Sequence, residues 1–210
     1  MKLIVFGASR GVGRLLTEQA LEQGHQVTAF ARNPASLNLQ HASLNVFAGD
    51  VADPAIVERS LIGQEMVFLT VGADKNRGAT TLFSVAARNN SQGMNAQDIH
   101  RLVFLANFGL MSEKVSGFRT TGLVGAAKLF MRGILQDQRR AVDEIQKYDK
   151  EWIVVRPMPF TSGPRTGHYR VALQGLPKGG TNISRADVAD FMLKQVSSNE
   201  YVHKLPGLAY

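Results

Sequence analysis

Apolar residues along the chain follow two alternating rhythms. Leu3–Phe6 is an unbroken apolar run that stops at Gly7, the pattern of a strand buried on both faces. From Val12 the spacing lengthens, and Val12, Leu15, Leu16, Ala20 and Leu21 share one helical face that Gly24 closes. Val27–Ala31 and Leu44–Ala48 read as the second and third strands. Asp53 and Pro54 mark the start of a helix running to about Ile62, with Asp as N-cap and Pro at the first helical position. Met66–Val71 is a fourth strand, Thr80–Arg88 a helix, Asn89–Asp98 a polar loop around Gly93, and Arg101–Ala106 a fifth strand. Residues 107–122 are rich in Gly, Ser and Thr and show no period. Leu123–Leu135 and about Asp137–Tyr148 carry helical patterns, and Trp152–Arg156 reads as a further strand. Pro157, Pro159 and Pro164 then interrupt regular structure. Ser184-Arg185-Ala186-Asp187 outlines a capping box, with Asp in the usual Glu/Gln position, for a helix reaching about Val196.

Strands that alternate with helices predict an α/β fold: a doubly wound parallel sheet with helices on both faces. No repeat, low-complexity tract or linker divides the chain, so residues 1–210 read as one domain.

Composition narrows the function classes. A chain of 210 residues with 44% hydrophobic and 20% charged residues has material for a packed core. The absence of cysteine excludes disulfide scaffolds, thiolate metal sites and cysteine nucleophiles. The five histidines show no metal-ligand spacing, so no metal is expected. A net charge of +7 suits an anionic partner. Without interleaved aromatics or a helix-turn-helix signal, nucleic acid is not expected. No stretch approaches the ~20 apolar residues of a membrane span. The opening apolar run reaches Gly7 before attaining the ~7–15 residues of a secretory core, which points to a cytoplasmic protein.

The candidate chemistry begins at Gly7-Ala8-Ser9-Arg10-Gly11-Val12-Gly13, directly after a buried strand and at the opening of a helix. That context lets backbone amides and a helix N-terminus face a pyrophosphate; the plain alternative is a glycine-rich turn that merely fits. At the end of the second strand a site for NAD normally carries a carboxylate for the ribose 2′-OH. Here the chain reads Ala31-Arg32-Asn33-Pro34, and Arg32, with Ser9 and Arg10, suits a 2′-phosphate. NADP(H) is therefore the expected cofactor. Asp50-Val51 and Val71-Gly72 follow the third and fourth strands, where open sheets bind ligands.

The glycine motif, Ala31–Pro34, Gly49-Asp50, Val155-Arg156-Pro157 and the run from Ile183 to Met192 resemble the atypical short-chain dehydrogenase/reductase family. The likeness is greatest to the NAD(P)H-binding group that includes biliverdin-IXβ reductase (a flavin reductase) and NmrA-type redox sensors. The resemblance implies a Rossmann-like domain, NADPH as hydride donor and a flavin, tetrapyrrole or quinone-like acceptor. It adds Ala106, Asn107, Pro157, Met158 and Pro159 to the cofactor-binding residues, with Asn107 positioning the nicotinamide. Residues 107–136 and 157–182 would form the substrate side, with His168 beside Tyr169 in the bordering loop. The sequence departs from the group's glycine pattern at Arg10-Gly11. It also has Leu105-Ala106-Asn107 in place of hydroxyl residues, and Pro159 where the biliverdin reductases have a histidine.

Tyr148, Tyr169 and Tyr201 are followed four residues later by Trp152, Leu173 and Leu205, and Tyr210 is the last residue, so no Tyr-x-x-x-Lys pair exists. Alcohol–ketone chemistry needs a proton at the carbonyl oxygen, whereas a flavin or quinone delocalises charge and takes its proton from water. The expected activity is hydride transfer from NADPH to such an acceptor. The alternative is a sensor that binds NADP(H) without turnover. The expected partner is a small-molecule acceptor, the protein being a monomer or homodimer.

Overall fold

The computed structural model describes residues 1–72, 80–110 and 132–210. Strand β1 (Lys2–Phe6) is apolar at every interior position because it faces two cores. Leu3 and Val5 pack into one, Ile4 and Phe6 into the other, and all four are fully buried. The same alternation governs β4 (Met66–Leu69), where Met66 and Phe68 face the first core and Val67 and Leu69 the second. Strands β2 (Gln26–Ala31), β3 (Leu44–Ala48), β5 (Arg101–Leu105) and β6 (Glu151–Pro157) complete the parallel part of the sheet.

The sheet has eight strands in the order β3-β2-β1-β4-β5-β6-β10-β8. It is parallel except at β8 (Arg170–Ala172), which runs antiparallel to β10 (Gly207–Ala209). β7 (Phe160–Thr161) and β9 (Ile183–Ser184) form a separate parallel pair. On one face lie α1 (Gly11–Glu22) and α5 (Arg185–Lys194), covering the first core; on the other lie α2 (Pro54–Leu61), α3 (Leu82–Ala96) and α4 (Arg132–Ile145). This is the expected Rossmann-like doubly wound sheet. Its strand order reverses between β1 and β4, which opens a crevice at the carboxyl ends of those strands.

Two expectations from the pattern are corrected. The polar stretch from Asn89 is not a loop: α3 runs through it to Ala96. Asn89 and Asn90 are buried, Asn89 Nδ2 donating to the Val51 carbonyl at 2.9 Å and Asn90 Nδ2 to that of Ala86 at 2.9 Å. Gly93 lets α3 lie against α2, since a Cβ there would sit 2.6 Å from Leu61 Cδ1. Tertiary packing overrides the low helix propensity of Asn, Ser and Gly. The second correction concerns Asp137, which does not start a helix. It lies inside α4, which is continuous across Gln136; the stretch 123–131 falls outside the described residues.

The capping chemistry of Asp137 serves another helix. Its carboxylate is fully buried and accepts from Phe83 N at 2.8 Å and Ser84 Oγ at 2.5 Å, closing the first turn of α3. Thr81, the local N-cap residue, makes no side-chain cap. Arg140, half exposed, pairs with the same carboxylate at 3.2 Å. Asp137→Ala strands two buried donors and removes a cap, so it is expected to destabilise the protein by about 3 kcal/mol. Arg140→Ala, whose partner keeps its other bonds, costs less than ~1 kcal/mol. Urea unfolding of both variants checks the ordering, and equal losses contradict it.

Candidate functional site

The turn after β1 is shaped by three glycines with different tasks. Gly7 adopts φ +87°, and a Cβ there would lie 2.8 Å from the Thr70 carbonyl oxygen. A Cβ at Gly13 would lie 2.3 Å from the Gly7 carbonyl oxygen and 2.4 Å from Thr70 Oγ1. These two permit the close packing of β1, α1 and the end of β4, which Thr70 fastens by donating from N and Oγ1 to the Phe6 carbonyl at 2.9 and 2.7 Å. Gly11 differs. It has φ +62°, is exposed, and a Cβ would meet nothing within 4 Å. The side chain of Arg10, the N-cap residue, makes no cap to α1, and no acid stands in its first turn. The positive end of the helix dipole therefore faces open space over Gly11, a seat suited to an anion. Ala8 and Val12 turn their side chains into the core beneath, which leaves their backbone for a ligand.

The other expected site residues gather at the same edge of the sheet, because each follows the carboxyl end of a parallel strand. Arg32 and Asn33 leave β2 exposed, and Asn33 Oδ1 accepts from Ala35 N at 3.2 Å. Ser9 is half-buried and Arg10 exposed in the neighbouring turn. Asp50 leaves β3 exposed and holds its own turn through Ala52 N at 2.9 Å, while Val51 is buried in the second core. Val71, half-buried, and Gly72, exposed, follow β4. Ala106 continues β5 by donating to the Val155 carbonyl at 2.9 Å. Asn107 is half-buried, and its side-chain amide has no hydrogen-bond partner among the described residues.

At β6, Pro157 and Met158 are buried and Pro159 is exposed. Met158 packs with Phe108, Ala209 and Leu176, so its side chain supports the edge from below. A hollow of about 430 Å³ lies at the opposite edge, by the amino ends of β1 and β2, lined by Lys2, Gln26, Thr28, Ser43, Asn45 and Gln64 among others. None of the expected site residues borders it.

The model of the NAD(P)H-binding family matches residues 7–199, which takes in every one of these strand ends. The chain belongs to the NAD(P)H-binding family. Solved structures of similar fold include a protein from Escherichia coli described as an anaerobillin reductase, at 20% identity and TM-score 0.81, covering 100% of this chain and 97% of that one. A Rossmann-fold NAD(P)-binding family protein from Shigella flexneri aligns at 21% identity and TM-score 0.76, covering 99% and 92%. A short-chain dehydrogenase/reductase from Veillonella parvula in complex with NADP aligns at 16% identity and TM-score 0.76, covering 100% and 94%. At these identities the likeness is one of fold.

The glycine turn fits the family's dinucleotide: Gly11 leaves room, the N-cap residue Arg10 leaves the first turn of α1 without a side-chain cap, and Arg32 adds positive charge at the rim. Sequence reasoning missed Gln138 of α4. It is buried, and its Oε1 accepts from Asn107 N at 3.1 Å. No pattern singles out a glutamine inside an amphipathic helix. Beside Gln138, Arg139 and Arg140 are exposed and bond to backbone, Arg139 Nε donating to the Leu110 carbonyl at 2.9 Å and an Arg140 guanidinium nitrogen to that of Thr80 at 2.9 Å. No helix among the described residues is long and apolar enough to cross a membrane. None of their His, Asp and Glu side chains form a group of three placed to hold a metal.

The structure does bring one tyrosine to a lysine. Tyr169 Oη lies 3.1 Å from Lys194 Nζ and donates to Asp190 Oδ2 at 2.8 Å. Burial, then the hydrogen bond and charge of Asp190, push this phenol's pKa up, the reverse of what an acid–base tyrosine in a dehydrogenase requires. The trio belongs to the packing of α5, not to the crevice.

His168 is exposed in a loop that Asp187 anchors. Asp187 Oδ1 accepts from Thr166 N at 2.7 Å and Gly167 N at 2.8 Å; its Oδ2 accepts from Thr166 Oγ1 at 2.7 Å and Tyr210 Oη at 2.6 Å. The expected capping box is therefore half formed. Ser184 Oγ accepts from Asp187 N at 3.0 Å, but Ser184 N donates to Tyr210 Oη at 3.2 Å and the carboxylate turns to the loop. Burial alone would raise the Asp187 pKa; the hydrogen bonds from Tyr210, Gly167 and Thr166 outweigh it and hold it below the usual range. A depressed carboxyl stabilises the fold above its unfolded pKa of ~3.9 and loses that contribution as pH falls through the lower folded value. Asp187→Asn is expected to lower the urea midpoint at pH 7 and to flatten its decline below about pH 4. An acid limb as steep as that of the wild type contradicts this.

Proposed function

We propose that the protein is an NADPH-dependent reductase that passes hydride to a flavin or a similar planar acceptor, such as a quinone or tetrapyrrole. Family membership supports the nucleotide, and the reductase described among the solved structures of similar fold supports the reductase class. The observation that carries the acceptor class is the lack of an acid–base tyrosine: the chain has no Tyr-x-x-x-Lys, and the Tyr169–Lys194 pair is locked by Asp190. When bound, the reduced nicotinamide supplies the hydride. The protein's part is to hold and orient. Amides of the Gly7–Gly13 turn and the start of α1 would carry the pyrophosphate, Arg32 with Ser9 and Arg10 the 2′-phosphate, and Asp50-Val51 would border the base. Val71-Gly72, Ala106-Asn107 and Pro157–Pro159 would shape the far end, with residues 107–136 and 157–182 forming the substrate side, 111–131 of these outside the described residues. Proximity and exclusion of water then provide the rate, and solvent provides the proton.

Arg32 is exposed, so each charged hydrogen bond to a 2′-phosphate is taken at the lower end of ~1.5–3 kcal/mol. Two such bonds favour NADPH over NADH about 30- to 150-fold. Arg32→Glu removes a donor and supplies a carboxylate for the 2′-OH of NAD, so most of that preference disappears, and in the wild type it shrinks as salt rises. Titration of both cofactors into both proteins measures this, and equal wild-type affinities refute it.

The acceptor is tested by following NADPH oxidation with FMN, dichloroindophenol, quinones and anaerobillin, against simple ketones and secondary alcohols. Turnover is expected with the former group and scarcely with the latter. Robust alcohol oxidation abolished by one Tyr→Phe substitution overturns the proposal. Tight NADPH binding with no turnover on any acceptor establishes the alternative, a redox sensor, which the missing acid–base residue also suits.

A further inference from the structure

Beyond Leu105 the chain still follows β6: Ala106 N donates to the Val155 carbonyl at 2.9 Å and Phe108 N to that of Pro157 at 3.2 Å. In a parallel strand successive N–H groups point to opposite neighbours, so Asn107 N faces the β4 side. β4 has ended at Leu69, and no strand carbonyl pairs with this amide. The acceptor is instead Gln138 Oε1 at 3.1 Å, from a side chain 1% exposed. One helical turn around it fastens both segments that leave the crevice beside β4 and β5. Asp137 holds Phe83 N and Ser84 Oγ, Arg139 holds the Leu110 carbonyl, and Arg140 holds the Thr80 carbonyl.

We infer that Gln138 is a positioning residue: through the Asn107 peptide it sets where the Asn107 side-chain amide stands at the nicotinamide end of the crevice. This rests on the function proposed above and deepens it. Asp137, Arg139 and Arg140 keep α4 seated so that Gln138 reaches. The buried glutamine stands where a strand carbonyl would, and it fixes a peptide otherwise held only through the bonds of Ala106 and Phe108 at the point where the two rings must meet. A displacement of 1 Å there costs roughly 10²-fold in rate, and the flanking bonds of Ala106 and Phe108 limit the shift to a fraction of that.

Gln138→Met keeps the volume and removes the acceptor; Gln138→Glu keeps an oxygen at the same reach. In Gln138→Met, hydrogen exchange of the Asn107 amide in the cofactor-free protein is expected to accelerate about fivefold or more. Affinity for 2′,5′-ADP, which reports the adenosine end, stays within about twofold, while the nicotinamide fluorescence gain of bound NADPH falls by about half or more and kcat with FMN falls about tenfold. Gln138→Glu restores the exchange protection and most of the fluorescence gain. The inference is overturned if Gln138→Met keeps wild-type exchange and fluorescence, or if 2′,5′-ADP affinity falls in step with them, as a general loosening of the fold would require. Failure of the functional reading shows separately, as wild-type protein that binds neither 2′,5′-ADP nor NADPH. The exchange measurement needs no cofactor and decides the Gln138–Asn107 bond in either case.

Discussion

At Gly13 a Cβ atom would lie 2.3 Å from the Gly7 carbonyl oxygen and 2.4 Å from Thr70 Oγ1, so α1 starts where it does only because that position carries a hydrogen. The approach ties three elements together. β1 ends at Phe6, whose carbonyl receives both donors of Thr70; β4 ends beside it; and α1 rises from the same point with its first turn facing outward. Two cores on opposite faces of β1 hold this junction from both sides. The positive helix end over Gly11 and the way β1, β4 and α1 meet at the crevice of the carboxyl edge are consequences of that contact.

Much of this was legible in local patterns. Strands facing two cores are apolar without interruption, and glycines needed for close approach stand at fixed spacing after the first of them. Asp53 was readable as a cap because its partners, Ala55 N and Ile56 N, are its neighbours in sequence. What was misread depends on partners far along the chain. The second half of α3 looked like a loop because Asn89, Asn90 and Gly93 are poor helix formers; Val51 and Leu61 supply the reason they are helical. Asp137 reads as the start of a helical pattern of its own, yet its carboxylate caps a helix 54 residues earlier. β8 and β10 are three residues each and have no periodicity to reveal them; β10 exists because it pairs with both β6 and β8.

The site divides along the same line. The residues expected to meet a dinucleotide follow strand ends, where patterns in the sequence point to them. Their supports carry no such pattern. Gln138 and Asp137 of α4 act on segments tens of residues away, and Asp187 holds the loop at 166–167 and the phenol of Tyr210 together behind β6 and β10. Rigid backing of this kind suits an enzyme whose chemistry resides in its cofactor, since the protein then contributes alignment more than acid–base groups.

In the proposed function the carboxyl edge, built on the Gly7–Gly13 turn, seats the nicotinamide dinucleotide. Mapping backbone amide chemical shifts during a titration with NADPH tests it most directly. Saturable shifts are expected to be largest at Ser9–Gly13, Arg32 and Asn107, with the amino edge of the sheet silent. Saturable shifts that cluster instead around Lys2, Gln26 and Gln64, or no saturable shift in the Gly7–Gly13 turn, would contradict it.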